Sequence, residues 1–394
     1  MKMKKIIALV LVACMALALC ACGGSSDKDS KEKVVKIGVY EPQSGKNGAG
    51  GKQEILGMQY ANLKTPTVEI GGETYKVELV YADNESDDAK AVTAATDLIS
   101  AGCAVILGSY GSSVAIAAAE TFNSAGVAAI GVTCTNPQVT EGNDSYFRIC
   151  FLDPFQGTVH ANFASEQFGA KTAYCLGELG NDYDQGLINY FTQAAEALGM
   201  KVVKGDFPEN NSDFTSYLTT AKNEGADVIF APCSIQYAQL IVEQAAAQGI
   251  DIPLLGPDTW DSNQILGAAQ GKDIEIFVST FYAEGADPDF EAGFKAWLNE
   301  NSEALTNNGG NDLISAVSVM GYDAYHVALE AMKKAGSADK ADILAAVPGV
   351  TYTGVSGAIA FDEIGDAIRD SAFIKKANTE SNVWDFVTAA KVEG

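Results

Sequence analysis

The sequence predicts an α/β protein made of two doubly wound, Rossmann-like lobes. Three observations carry this. From Val34 onward, short β-rich runs alternate with helix-like stretches, at the spacing of strand–helix–strand units that build parallel sheets covered by helices on both faces. Several helical stretches stop at a glycine (Gly102, Gly126, Gly199, Gly225 and Gly249), where a left-handed residue closes a helix without a Cβ clash. A chain of 394 residues also exceeds what one ordinary core organises, so two domains are expected.

The elements begin outside the lobes. Lys2, Lys4 and Lys5 precede an apolar run from Ile6 to Leu19, which is short for a membrane span and reads as a secretory signal. It ends in Leu19-Cys20-Ala21-Cys22, a small residue directly before a cysteine. This resembles the signal of a bacterial lipoprotein. The resemblance implies a signal peptide over residues 1–21 and a diacylglycerol on the Cys22 sulfur. Leu19 makes Cys20 a poor rival, because the position before the cut needs a small side chain. Residues 22–33 are polar and charged, with no apolar period, and predict a flexible tether. The protein is therefore expected outside the cytoplasm, held to the membrane by lipid alone.

Strands are predicted at Val34–Tyr40, Val77–Ala82, Ala104–Leu107, Ala128–Gly131, Thr172–Leu176, Val202–Asp206, Val228–Ala231, Pro253–Leu255 and Ile274–Ser279. Helices are predicted between them at Lys52–Leu63, Asp88–Ser100, Val114–Ser124, Phe155–Glu166, Gln185–Leu198, Phe214–Asn223 and Gln236–Gln248. One sheet is expected from Val34 to about Phe151 and a second from Thr172 to about Ser279. Pro288–Asn301 and Leu313–Ala335 then read as long helices with no strand between them.

Composition narrows the function. The net charge is -25, and loss of the three signal lysines makes it more acidic still, which argues against nucleic acid or anionic lipid as a binding surface. Beyond the signal and Cys22, five cysteines remain: Cys103, Cys134, Cys150, Cys175 and Cys233. None are close in sequence, and several sit in apolar runs where cysteine is a small buried hydrophobe, so free thiols are expected. His160 and His326 are the two histidines and there is no CxxC, so no metal site is expected. The stretch Gly45–Gln53 approaches a phosphate-binding loop but has Lys46 where the first glycine belongs and Gln53 in place of the hydroxyl residue. With no nucleophile elbow and no histidine-based triad pattern, neither an enzyme nor a cofactor is expected.

What remains is a set of polar loops after strands, where an open α/β sheet places its ligands. Gly108-Ser109-Tyr110-Gly111-Ser112-Ser113 puts Ser112 and Ser113 at a helix start, whose free N–H groups and positive dipole end suit a carboxylate. Ser112 could equally cap its own helix. Thr133-Cys134-Thr135-Asn136-Pro137 offers two hydroxyls one residue apart, or an ordinary turn before proline. Asn181-Asp182-Tyr183-Asp184 precedes a helix. In Gly256-Pro257-Asp258-Thr259-Trp260, Asp258 stands at a strand end, where it serves either as a helix cap or as an acid for a ligand.

Taken in order and spacing, VKIGVYEPQSG, GSYGSS, IGVTCTNP, YFRICFLDPFQG, NDYDQG, LLGPD and GYDAYHVALEAM resemble the substrate-binding proteins of ABC importers for branched-chain amino acids, the leucine/isoleucine/valine-binding family. The resemblance runs from about Val34 to the C-terminus. It implies a type I periplasmic-binding fold, with two lobes joined by three crossings near Asp153, Ala283 and Asp362. Lobe 1 is then 34–152 with 284–360, and lobe 2 is 153–283 with 361–394. By the same resemblance, Ser112 and Thr135 hold the α-carboxylate and α-ammonium, and Thr133 contributes a carbonyl or hydroxyl. Asp258 pairs with the ammonium, Tyr183 closes over the ligand, and Ser234 and Ile235 lie in a loop that contacts it. Gly50 departs from the pattern, standing where relatives often place an aromatic, and Tyr110 stands where they often have an aliphatic, so the pocket is differently shaped. The implied function is capture of an amino acid and delivery to ABC permease and ATPase subunits by a monomeric, lipid-anchored protein. The alternative is a sensor module of the same fold reporting to a signalling partner.

Overall fold

A computed structural model describes residues 32–369 and 371–391; the signal, Cys22 and most of the tether lie outside them. The first sheet contains β1 (Lys33–Glu41), β2 (Thr67–Ile70), β3 (Glu73–Asp83), β4 (Val105–Leu107), β5 (Ala128–Gly131) and β6 (Tyr146–Arg148), in the order β2-β3-β1-β4-β5-β6. The pairs β1–β4, β4–β5 and β5–β6 are parallel, as alternation with helices requires. The second sheet contains β7 (Thr172–Glu178), β8 (Lys201–Phe207), β9 (Val228–Phe230), β10 (Leu254–Gly256) and β11 (Ile276–Thr280). Two strands follow the short hairpin β12 (Thr351–Gly354) and β13 (Gly357–Ala360): β14 (Ser371–Asn378) and β15 (Val383–Lys391) complete the second sheet as β15-β14-β11-β10-β9-β7-β8. The central strands β4, β5, β9, β10 and β11 are buried along their whole length, which is why they read as unbroken apolar runs.

The two-lobe doubly wound architecture is as expected, with antiparallel additions at the sheet edges. β2 pairs antiparallel with β3, and β14 pairs antiparallel with both β11 and β15. β2, β14 and β15, together with β6 and the β12–β13 hairpin, carry no long apolar run. β14 includes Lys375, buried against Asp261 at 2.9 Å, and much of β15 faces solvent. Periodicity alone therefore passes over them. Several helices also begin earlier than predicted. The helix Asp182–Ala197 starts at its cap Asn181, whose side chain accepts from the Tyr183 and Asp184 backbone N–H groups. The helix Ala316–Ala335 instead starts three residues later than Leu313.

After β11 the chain returns to the first sheet. Met320, Ala324, Val327 and Ala328 of the helix Ala316–Ala335 share one core with Ile37, Val39 and Leu107. That helix crosses the helix Gly48–Lys64 at backbone contact: a Cβ on Gly57 would lie 1.8 Å from the Ser318 carbonyl oxygen, and one on Gly321 would lie 2.2 Å from that of Glu54. Glycine is required at both positions for the approach. Gly57→Ala is expected to destabilise the protein by about 1–3 kcal/mol through overpacking, read as a lower melting temperature. Unchanged melting would show that the two helices can separate freely. Beyond β13, Asp366 bridges to Arg148 of β6, with Arg148 Nε 2.7 Å from its carboxylate, and Arg369 donates to the Ile149 carbonyl.

All five described cysteines are buried and unpaired. Among the described residues there is no helix long and apolar enough to cross a membrane. Nor do they hold a His, Cys, Asp and Glu cluster suited to a metal ion.

Candidate ligand-binding cleft

The C-terminal ends of β1, β4, β5, β7, β9 and β10 meet at a cavity of about 670 Å³ between the two sheets. Tyr110, Ser112, Ser113, Thr133, Tyr183 and Ser234 line it. Thr135 and Asp258 lie buried behind this lining, as does Ile235 at the start of its helix.

On the first lobe, Gly111 caps the helix Ser112–Ala125 without a side chain. The Ser112 hydroxyl accepts from the Asn136 backbone N–H at 3.1 Å instead, so Ser112 does not cap its helix and ties the two polar loops together. Tyr110 lies over Gly50, where a Cβ would come within 2.3 Å of the phenol ring. The ring thus occupies the space that a side chain at position 50 would take. The Tyr110 hydroxyl donates across the cleft to the Thr259 carbonyl at 3.1 Å.

On the second lobe, Asp258 opens a short 3₁₀ turn after β10, capped by Pro257 rather than by its own side chain. Its Oδ1 accepts from Tyr183 Oη at 2.9 Å and from Gln156 Nε2 at 2.8 Å. Its Oδ2 is buried with no donor, and so are both carboxylate oxygens of Asp153 and the Thr135 hydroxyl. Gln156 also reaches Ser279 Oγ, which contacts His160 Nε2 at 2.9 Å. Burial lowers that imidazole to about 3, so it is neutral.

The electrostatics of the cleft are one-sided. Glu41, Glu54, Asp153 and Asp258 are all buried. Burial is the main cause that raises each: Asp258 to about 6, against the pull of its Gln156 and Tyr183 hydrogen bonds, and Asp153 to about 7. Thr135 lies close enough to Asp153 to moderate that rise without reaching hydrogen-bonding geometry. Glu54 rises to about 7 and Glu41 rises well above the usual carboxylate range, with Glu54 adding to it after burial. The buried bases among the described residues, Arg148 and Lys375, are already paired with Asp366 and Asp261. These four carboxyl groups therefore have no buried base to pair with, and a cation reaching them would relieve the cost of their burial.

Contacts between the lobes surround this centre. Lys46 Nζ sits 2.7 Å from Glu178 Oε2, and Glu178 Oε1 accepts from Tyr237 Oη at 2.9 Å. Asn47 Oδ1 accepts from the Ile235 N–H, and Asn136 Nδ2 donates to the Asp182 carbonyl. These pairings escaped the sequence reading because the partners lie far apart in sequence. The Lys46–Glu178 pair is partly open to solvent and worth about 0–1 kcal/mol. Lys46→Ala is expected to weaken ligand binding by no more than about fivefold, through faster dissociation from a less favoured closed form. A larger loss in stopped-flow measurements would place Lys46 on the ligand itself. Glu54 did leave a signal in the sequence. Gly50, Glu54, Gly57 and Ala61 fall on one helix face, and a carboxyl among such small residues points to a buried site.

Comparison with known proteins follows this geometry. Residues 34–379 match the family model described as periplasmic binding protein. A Pseudomonas aeruginosa protein named amino acid binding protein is 30% identical over 279 residues, covering 70% of this chain and 72% of its own. The crystal structure of a leucine binding protein, LivK, from Thermotoga maritima superposes with a TM-score of 0.80 at 30% identity, over 91% of this chain and 99% of that one. The branched-chain amino acid transporter substrate binding protein LivJ of Streptococcus pneumoniae, solved with isoleucine, gives a TM-score of 0.78 at 25% identity, over 91% and 99%.

Proposed function

This chain belongs to the periplasmic binding protein family, and on that premise we propose that it captures a branched-chain or related α-amino acid between its lobes and delivers it to an ABC importer. It is a solute binder and not an enzyme. One observation carries the choice of ligand: Asp258, buried in the second lobe with no donor to its Oδ2, sits next to the cavity-lining Thr259, while the helix start at Ser112 lines the same cavity from the first lobe. A helix N-terminus suits a carboxylate and a buried acid suits an ammonium, so together they suit a zwitterion. In this reading Ser112 and Ser113 serve the carboxylate, while Thr133, Thr135 and Asp258 serve the ammonium. Tyr183 closes over both, and Tyr110, Ser234 and Ile235 shape the side-chain pocket. Full contact needs both lobes, so the ligand favours the closed form by its differential affinity. The hinges are the crossings near Asp153, Ala283 and Asp362. Anchoring through Cys22 and docking of a monomer on permease and ATPase subunits complete the proposal.

The test is a thermal-shift screen of the purified protein against the twenty amino acids and small carboxylates. A ligand at a hundredfold excess over its Kd adds about 2.7 kcal/mol of stability. A rise with leucine, isoleucine or valine supports the reading. A rise with another amino acid keeps the mechanism and moves the specificity to Tyr110 and Gly50. No rise with any amino acid overturns it.

A further inference from the structure

Two residues of the cavity wall are each tied from behind to a carboxyl group. Thr133 Oγ1 donates to Glu54 Oε1, and the Tyr110 backbone N–H donates to Glu41 Oε2 at 2.6 Å. The remaining oxygens, Glu41 Oε1 and Glu54 Oε2, have no hydrogen-bond partner, and the two carboxyl groups are near enough to act on each other electrostatically. Two buried carboxyl groups in such proximity disfavour a charge on both. Both side chains have no exposed surface. The pair is held rigidly, because the Glu54 backbone is pressed against Gly321 of the neighbouring helix.

The consequence lies at Thr133. A threonine hydroxyl has one hydrogen and two lone pairs. With its hydrogen committed to Glu54, Thr133 turns only lone pairs toward the cavity. It can accept a hydrogen bond there and cannot donate one. We propose that Glu54 is a positioning residue that fixes Thr133 as an acceptor for the ligand's ammonium group. The role rests on the amino-acid reading above and adds to it a reason for rejecting ligands without an ammonium.

The titratable groups facing Glu54 are Glu41 from β1, Tyr110 after β4, Cys134 in the Thr133 loop and Asp258 across the cleft. None of them carries a positive charge. An arriving ammonium therefore lowers the proton affinity of Glu54 and its neighbours, and binding near neutral pH releases protons.

The experiment compares L-leucine with 4-methylpentanoate, its analogue lacking the ammonium, on the full protein and on Glu54→Gln and Glu54→Leu. Titration calorimetry in two buffers of different ionisation heat gives affinity and proton release together. Glu54→Gln keeps an acceptor for Thr133, so it is expected to retain most of the preference for leucine while releasing fewer protons. Glu54→Leu frees the Thr133 hydrogen to point into the cavity, and the preference is expected to shrink on the order of tenfold. If Glu54→Leu does not fold, proton release by Glu54→Gln decides alone. Unchanged preference and unchanged proton release in folded variants would overturn this role and leave the amino-acid reading standing. Failure of the wild-type protein to bind any amino acid would overturn both.

Discussion

Asp258→Asn is expected to weaken amino-acid binding by about ten- to a hundredfold while leaving the unliganded protein at least as stable as the wild type at neutral pH. The two halves of this expectation have one cause. Asn preserves the volume and the acceptor that Tyr183 Oη and Gln156 Nε2 require. What changes is the other oxygen, which is buried without a donor in the free protein. In the wild type that atom carries charge at an unfavourable place, which is why burial raises the group to about 6. The substitution removes a cost from the empty cleft and a partner from the occupied one, and it directs an amide N–H toward the ligand ammonium. Calorimetry and a thermal melt on the same sample read both. Unchanged affinity would reduce Asp258 to an anchor for Tyr183. Lower affinity together with a lower melting temperature would point to lost packing instead of lost charge.

The free protein should also lose stability as the pH rises from about 4.5 to 7.5. Asp153 and Glu54 at about 7 and Asp258 at about 6 all lie above their ordinary values of 3.8 and 4.5. Between the ordinary and the raised value the folded state binds more protons than the unfolded chain. Raising the pH through that window therefore favours unfolding. Each tenfold gain in proton affinity on folding corresponds to about 1.4 kcal/mol, so the three groups amount to several kcal/mol and a fall in melting temperature on the order of 5–10 °C. General repulsion in a chain of net charge -25 adds to the fall. Asp83, held down by hydrogen bonds from Gln43, Ser44 and Glu85, acts in the opposite sense, but only below its ordinary range near pH 4. An amino-acid ligand that neutralises the carboxyl cluster should flatten the profile, so its thermal shift should be larger at pH 7.5 than at pH 5. A melting temperature of the free protein that climbs from pH 5 to pH 7.5 would show that the cluster is neutralised internally.

The aromatic exchange at the cleft shows how a local departure from a family pattern becomes intelligible only in three dimensions. Gly50 and Tyr110 are sixty positions apart and look like two unrelated substitutions. In the fold they are one, because the phenol of Tyr110 fills the space above Gly50 and reaches Thr259 on the opposite lobe. On the proposed reading, the ligand's side chain meets a polar aromatic anchored at both ends. The pair is accordingly the first place to look if the ligand is not an aliphatic amino acid.

Local pattern alone determined much about this protein. The central strands are legible because they are buried on both faces and carry unbroken apolar runs. Helix ends are legible because Gly126 and Gly249 take up left-handed conformations that glycine adopts at no steric cost. The loops bearing Ser112, Thr133, Tyr183 and Asp258 are legible because parallel sheets place polar loops at strand ends. Tertiary structure alone decided the rest. Edge strands such as β15 are half solvated and leave no apolar signature. Glu41, Glu54, Asp153 and Asp258 look like four ordinary surface acids in the sequence, and they become one buried cluster only when β1, the helix Gly48–Lys64 and the two lobes close together. Burial and proximity are properties of the packed chain, and they convert these carboxylates from solvated surface groups into buried acids that hold their protons more tightly.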